Sequence, residues 1–156
     1  MKCLGFINGV FHVESKYTSR GPRLIEVNCR MGGGPVRTMN MLVWGVDLVE
    51  EQLLCSAGIP SNPPVALKPL MNIAEYSVNA MKTGVLKSNA HLEKYQDDKD
   101  VLYARPLIEP GSKVVSAKDG LPTWICELMI TKPTVDEAIQ SVKRIEADIQ
   151  DSMVID

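Results

Sequence analysis

An α+β fold, an antiparallel sheet with packed helices, is what the sequence predicts, from three observations. Hydrophobicity alternates with period two in several short runs, apolar residues recur at helical spacing after Pro35, and a capping box opens an apolar-striped run near the C-terminus. The first two strand-like runs, 9–17 and 23–29, are joined by Thr18-Ser19-Arg20-Gly21-Pro22, a small and polar turn. Glycines 32 to 34 end the second strand. Pro35 suits the first turn of a helix, where its missing N–H would be unpaired anyway. Met39, Leu42, Val43 and Val46 then follow at helical spacing. A second helix runs from Leu48 to Ser56, with Asp47 as its N-cap and Gly58 as its stop. The two helices are expected to pack across the back of the hairpin.

Past the loop Ser61-Asn62-Pro63-Pro64 the composition changes. Residues 67–81 alternate as a strand, and a short helix is indicated around 89–96. Val101 to Ile108 reads as a strand that Pro106 confines to an edge or an interruption. Pro110-Gly111 and Asp119-Gly120 are turns bracketing a short strand at 113–117, and a longer strand runs 122–131. Thr134-Val135-Asp136-Glu137 is a capping box. The helix it opens carries Val135, Ala138, Ile139, Val142, Ile145 and Ile149 as one apolar stripe, which must lie on a sheet.

At 156 residues, 45% hydrophobic and 23% charged, the composition is that of an ordinary globular chain. A net charge of −2 gives no electrostatic footprint for nucleic acid or an anionic membrane. No apolar run is long enough to span a bilayer and no signal-peptide core opens the chain, so a cytoplasmic location is expected. The four cysteines have no C-x-x-C spacing, which favours free buried thiols over a disulfide or zinc framework.

The chemistry concentrates between Gly9 and Pro35. His12, Glu14 and Lys16 share one face of the first strand; Leu24, Glu26 and Asn28 share one face of the second. Residues at i and i+2 sit roughly 7 Å apart, so Glu26 and Asn28 converge, and Glu14 from the adjacent strand can complete the set. Two carboxylates and an amide oxygen suit Mg²⁺, which prefers a few protein oxygens and leaves positions for phosphates and water. By spacing alone, the same residues also read as the solvated face of a half-exposed hairpin. Arg30, just past the strand, can hold a phosphoryl group through paired N–H bonds, or serve as a surface arginine. Gly32, Gly33 and Gly34 allow a ligand close to the backbone before a helix N-terminus, or act as a flexible connector. His12 borders the site as a hydrogen-bonding or purely structural group, because Mg²⁺ is a poor partner for imidazole. Arg37 could meet a substrate carboxylate or only the helix surface. His91 reads as solvated; Trp44, Trp124 and Met31, Met39, Met41 read as packing residues.

The string His12-x-Glu14 followed by Ile25-Glu26-Val27-Asn28-x-Arg30-Met31-Gly32-Gly33 resembles the metal-binding end of the ATP-grasp ligases, and within them the amino-acid and dipeptide ligases. The resemblance is densest over 5–58. It implies the C-terminal portion of an ATP-grasp fold, with residues 1–60 as the metal- and phosphate-binding part and 61–156 as an antiparallel β layer with a closing helix. It implies ATP and Mg²⁺ (or Mn²⁺) as cofactors and small amino acids as substrates. Glu26 would bridge two metal ions, Glu14 would hold one of them and Asn28 the other. Arg30 would be catalytic, and His12, Gly32 and Gly33 would line the cofactor. The implied reaction is ADP-forming ligation of a carboxylate and an amine through an acyl phosphate. Because the family's adenine pocket would precede Met1, the chain reads as a C-terminal fragment that needs a missing N-terminal half, is inactive by itself and is open to self-association. Two alternatives stay open: a non-catalytic binding module, and another ATP-grasp enzyme such as a carboxylase.

Overall fold

The computed structural model describes residues 2–156. The chain forms two compact units, Met1–Leu70 and Met71–Asp156. In the first, strands β1 (His12–Thr18) and β2 (Gly21–Asn28) form an antiparallel hairpin through Ser19-Arg20. This turn is tighter than the five-residue one expected: Gly21, at φ 84°, takes the left-handed conformation there, so Pro22 already lies in the strand. The register is Glu14 opposite Glu26 and His12 opposite Asn28, with a shift between Glu14 and Ser15. That shift inserts Ile25 as an extra residue in β2, so Leu24 pairs with Ser15 and turns to the other face from Glu26. The shared face expected for Leu24 and Glu26 is thereby corrected.

Helices α1 (Val36–Trp44) and α2 (Leu48–Ser56) follow where the periodicity puts them. Pro35 stands at the N-cap of α1, and the Asp47 carboxylate accepts from Val49 N at 2.9 Å as the cap of α2. The helices pack on each other, but neither lies across the hairpin, where Val13, Tyr17, Leu24 and Ile25 stay exposed. Instead α2 is tied to the segment before β1: Val10 N donates to Gln52 Oε1 at 3.3 Å.

In the second unit, β3 (Ile73–Asn79), β5 (Val101–Pro106) and β7 (Trp124–Thr131) make an antiparallel sheet in the order β3-β7-β5. Central β7 buries every residue from Ile125 to Ile130. Pro106 ends the edge strand, where its missing N–H leaves no ladder bond unmade. A smaller pair, β4 (Gly84–Val85) with β6 (Lys113–Val114), meets the chain's end: Val85 N donates to Asp156 O at 2.8 Å. A Cβ on Gly84 would sit 1.9 Å from that carbonyl oxygen, so only glycine admits the crossing strand.

The capping box forms as expected, with Glu137 N donating to Thr134 Oγ1 at 3.2 Å and Thr134 N to Glu137 Oε2 at 3.1 Å. It opens α3 (Val135–Ser152), whose Ala138, Val142, Ile145 and Ile149 pack on Ala74, Val78, Cys126, Leu128 and Ile130. The stripe is narrower than the sequence suggested. Val135 and Ile139 are exposed, and Ser141 is buried beside the stripe instead. His91, expected in solvent, is 5% exposed: the 3-10 helix Ala90–Tyr95 turns it inward with Leu92 and Tyr95. Trp44, Trp124 and Met41 are exposed rather than packed.

All four thiols are free, but Cys3 and Cys29 are exposed and Cys55 is intermediate, so only Cys126 is the buried thiol expected of all four. Burial pushes the Cys126 thiol up to about 12, and the thiolate is the reactive form. An aromatic disulfide reagent at neutral pH is expected to modify Cys3 and Cys29 first, Cys55 more slowly, and Cys126 only after denaturation. Release of a fourth equivalent from the folded chain would contradict this packing.

Candidate metal and phosphate site

The hairpin register decides which groups meet. Glu14 and Glu26 are direct cross-strand partners, and His12 and Asn28 occupy the next row on the same face. The structure therefore brings four of the candidate residues onto one patch. Two carboxylates directly opposite one another repel. Glu26 has no ion-pair partner among the described residues, and the one basic side chain within 4 Å of Glu14 among them is His12, with Nδ1 3.7 Å from Glu14 Oε1, too far for a hydrogen bond. His12 Nδ1 and Asn28 Nδ2 are themselves buried without a hydrogen-bond partner. Among the described residues no cluster of three His, Cys, Asp or Glu side chains gathers as a metal site. The set is two carboxylates plus an amide. A carboxylate pair without a cationic partner, with the Asn28 amide in the next row, fits a hard divalent cation bound through few protein oxygens; the orphaned His12 and Asn28 nitrogens are not ligands for such an ion.

Arg30 follows at the end of β2, exposed, with Nη1 donating to Met31 O at 3.0 Å. One short local bond leaves most of its donor fork free for an anion. The two candidate glycines differ. Gly32 is buried against the first turn of α1: a Cβ there would lie 2.9 Å from both Val36 methyl carbons, so packing alone demands glycine. Gly33 is exposed with nothing within 4 Å of a Cβ, and its carbonyl accepts from Val36 N at 3.3 Å. Arg37 is taken up elsewhere. Its Nε donates to Asp47 Oδ1 at 2.8 Å and its Nη2 to Oδ2 at 2.6 Å, and these bonds hold the Asp47 carboxyl down at about 2. Sequence reasoning gave Asp47 a capping role but missed this fork, which lies ten residues apart across the α1–α2 junction.

No protein-family model matches the chain. Curated relatives do. Carnosine synthase 1 of Gallus gallus is 32% identical over 139 residues, covering 80% of this chain and 14% of that protein. Carnosine synthase 1 of Homo sapiens is 42% identical over 69 residues, covering 43% of this chain and 8% of that protein. The chain thus spans a small part of the relatives it matches. Among solved structures, an L-amino acid ligase from Bacillus licheniformis superposes with a TM-score of 0.73 at 16% identity, over 94% of this chain and 35% of that one. A phosphoribosylglycinamide synthetase from Anaerococcus prevotii superposes with a TM-score of 0.67 at 18% identity, over 99% and 39%. Among the described residues no helix is long and apolar enough to cross a membrane. Sequence likeness to the carnosine synthases and a fold shared with two ligases place this chain among the ATP-grasp ligases, with the architecture of the C-terminal portion of that fold.

Proposed function

We propose that the chain supplies the metal- and phosphate-binding part of an ADP-forming carboxylate–amine ligase that joins small amino acids into a dipeptide, as a carnosine synthase does. The observation that carries this reading is the register of the hairpin, which sets Glu14 against Glu26 and His12 against Asn28 just before Arg30 and the glycine run. Glu14, Glu26 and Asn28 Oδ1 would hold Mg²⁺ (or Mn²⁺), which when bound supplies neutralisation of phosphate charge. Arg30 binds the phosphoryl group undergoing transfer, with two N–H bonds matched to two oxygens. Backbone N–H groups around Gly33, next to the N-terminus of α1, favour a nearby anion. In the reaction a substrate carboxylate oxygen attacks the γ-phosphorus of ATP and ADP leaves. The amine then attacks the acyl carbon, phosphate leaves, and the amine nitrogen loses a proton. His12 orients groups at the edge of the patch. The exposed apolar side chains of the hairpin support a covering partner, the remaining portion of the ATP-grasp site, without which the chain alone does not turn over.

Calorimetric titration with Mg-ADP, wild type beside Glu26→Ala, tests this. Saturable wild-type heat is expected, weakened at least about tenfold in the variant. The melting point should not fall, because Glu26 is exposed, no hydrogen bond or ion pair of its side chain among the described residues would be lost, and its repulsion with Glu14 would be relieved. Equal binding by both, or amino-acid ligation by the pure chain that Glu26→Ala abolishes, would refute the corresponding half of the proposal.

A further inference from the structure

The second unit carries an open groove of about 720 Å³ between the start of β5, the Lys132-Pro133 corner and the first turns of α3. This is the size range of small-molecule sites. Gln140, Ser141 and Arg144 line it from the helix, with Arg144 four residues after Gln140 and three after Ser141, the spacings that make helix side chains neighbours. Three of its six charges are already answered inside the chain. Lys132 pairs with Asp100, and the Glu137 carboxylate is turned back onto Thr134, accepting from its N at 3.1 Å and its Oγ1 at 3.0 Å.

Three charges are left over. Lys99, Arg144 and Asp136 line the groove, and none has an ion-pair partner among the described residues. A further donor lies in the groove wall. Ser141 is only 8% exposed and lines the groove, and its Oγ is not among the side-chain atoms buried without a partner, so the hydroxyl opens to the groove. A hydroxyl in that position can exchange water for a ligand acceptor.

We propose that this groove binds a small dicarboxylic amino acid. The unanswered set of two cations, one carboxylate and one hydroxyl donor is complemented by two carboxylates and one ammonium. Arg144 offers a planar fork to one carboxylate, Lys99 a point charge to the other, and Ser141 Oγ–H donates to the first. Asp136 accepts from the ammonium. A polyphosphate is a poor occupant, because Asp136 and Glu137 would repel its charge. The site belongs wholly to the second unit and does not depend on the hairpin chemistry.

The test is a ¹⁵N NMR titration of the 156-residue chain with L-glutamate, glutarate and inorganic phosphate. L-Glutamate should give saturable shifts clustered at Lys99, Ser141 and Arg144. Arg144→Ala should weaken its binding about tenfold or more. Asp136→Asn should weaken L-glutamate but leave glutarate unchanged, since only the former has an ammonium. Ser141→Ala, a small change in a buried position, should weaken both. No saturable shift at about 10 mM, where even millimolar affinity would register, overturns the proposal. So do shifts that Arg144→Ala and Lys99→Ala leave intact, and so does phosphate binding as tightly as L-glutamate. None of these outcomes bears on Mg-ADP binding by the hairpin, so the two readings fail separately.

Discussion

Leu128→Ala is expected to destabilise the second unit by about 2–5 kcal/mol, a large part of the roughly 5–15 kcal/mol that holds a small domain folded. Leu128 lies mid-way along β7, flanked by Tyr76 on β3 and Ala104 on β5, and is 0% exposed. It faces the stripe of α3 formed by Ala138, Val142, Ile145 and Ile149. Leu92 and Tyr95 of the 3-10 helix close the same core beside α3, so the space around Leu128 is already filled by packed side chains. The sequence has two tryptophans, Trp44 in the first unit and Trp124 in the second. In a Trp44→Phe background, Trp124 fluorescence therefore reports the second unit alone. The urea midpoint should fall with the slope unchanged, while Leu121→Ala, at a residue 91% exposed, should barely move it. Similar shifts from both substitutions would mean that α3 does not seal this core.

Local signals were the most legible. Asp47 and Thr134 are short side chains next to the helix N–H groups they satisfy, so a few adjacent residues sufficed to place both caps. Strand parity put His12, Glu14, Glu26 and Asn28 on one face, and the register brings them together there. Parity failed two residues before Glu26, at Leu24, because a bulge adds Ile25 and no pattern in the sequence marks it. Two-residue strands such as Gly84–Val85 are too short to carry a period at all. His91 was misread for a different reason. Its neighbours Glu93, Lys94, Asp97 and Asp98 are polar, but a 3-10 helix brings His91, Leu92 and Tyr95 to the inside while leaving the charges out. The Arg37–Asp47 fork and the burial of Ser141 depend on how helices meet other elements, and local pattern does not hold that information.

Arg105→Ala should cost nearly as much as the core truncation, through charge rather than volume. Glu127 sits on buried β7 and is 3% exposed, yet it carries a carboxylate. Alternation gave no warning, because β7 is covered on both faces. Arg105, its cross-strand partner on β5, donates from Nε to Glu127 Oε2 at 2.7 Å and also pairs through Nη2. The guanidinium also stacks over the Tyr103 ring, 4.8 Å from its centroid. On β3, burial and then the nearby Glu127 charge raise the pKa of Glu75, so this face already carries more negative charge than it can easily ionise. Deleting the arginine strands a buried carboxylate beside a second one. Losing one partner of such a pair costs about 3–5 kcal/mol, and the lower end applies here because the Arg105 side chain is 55% exposed and water already shares its charge. The diagnostic is a double-mutant cycle. Glu127→Gln placed on Arg105→Ala should recover most of the loss, since an amide of the same shape has no charge to strand. If the double variant is as unstable as Arg105→Ala, the arginine acts through its packing on Tyr103. A loss below about 1 kcal/mol for Arg105→Ala alone would mean that solvent reaches Glu127 far more than its burial implies.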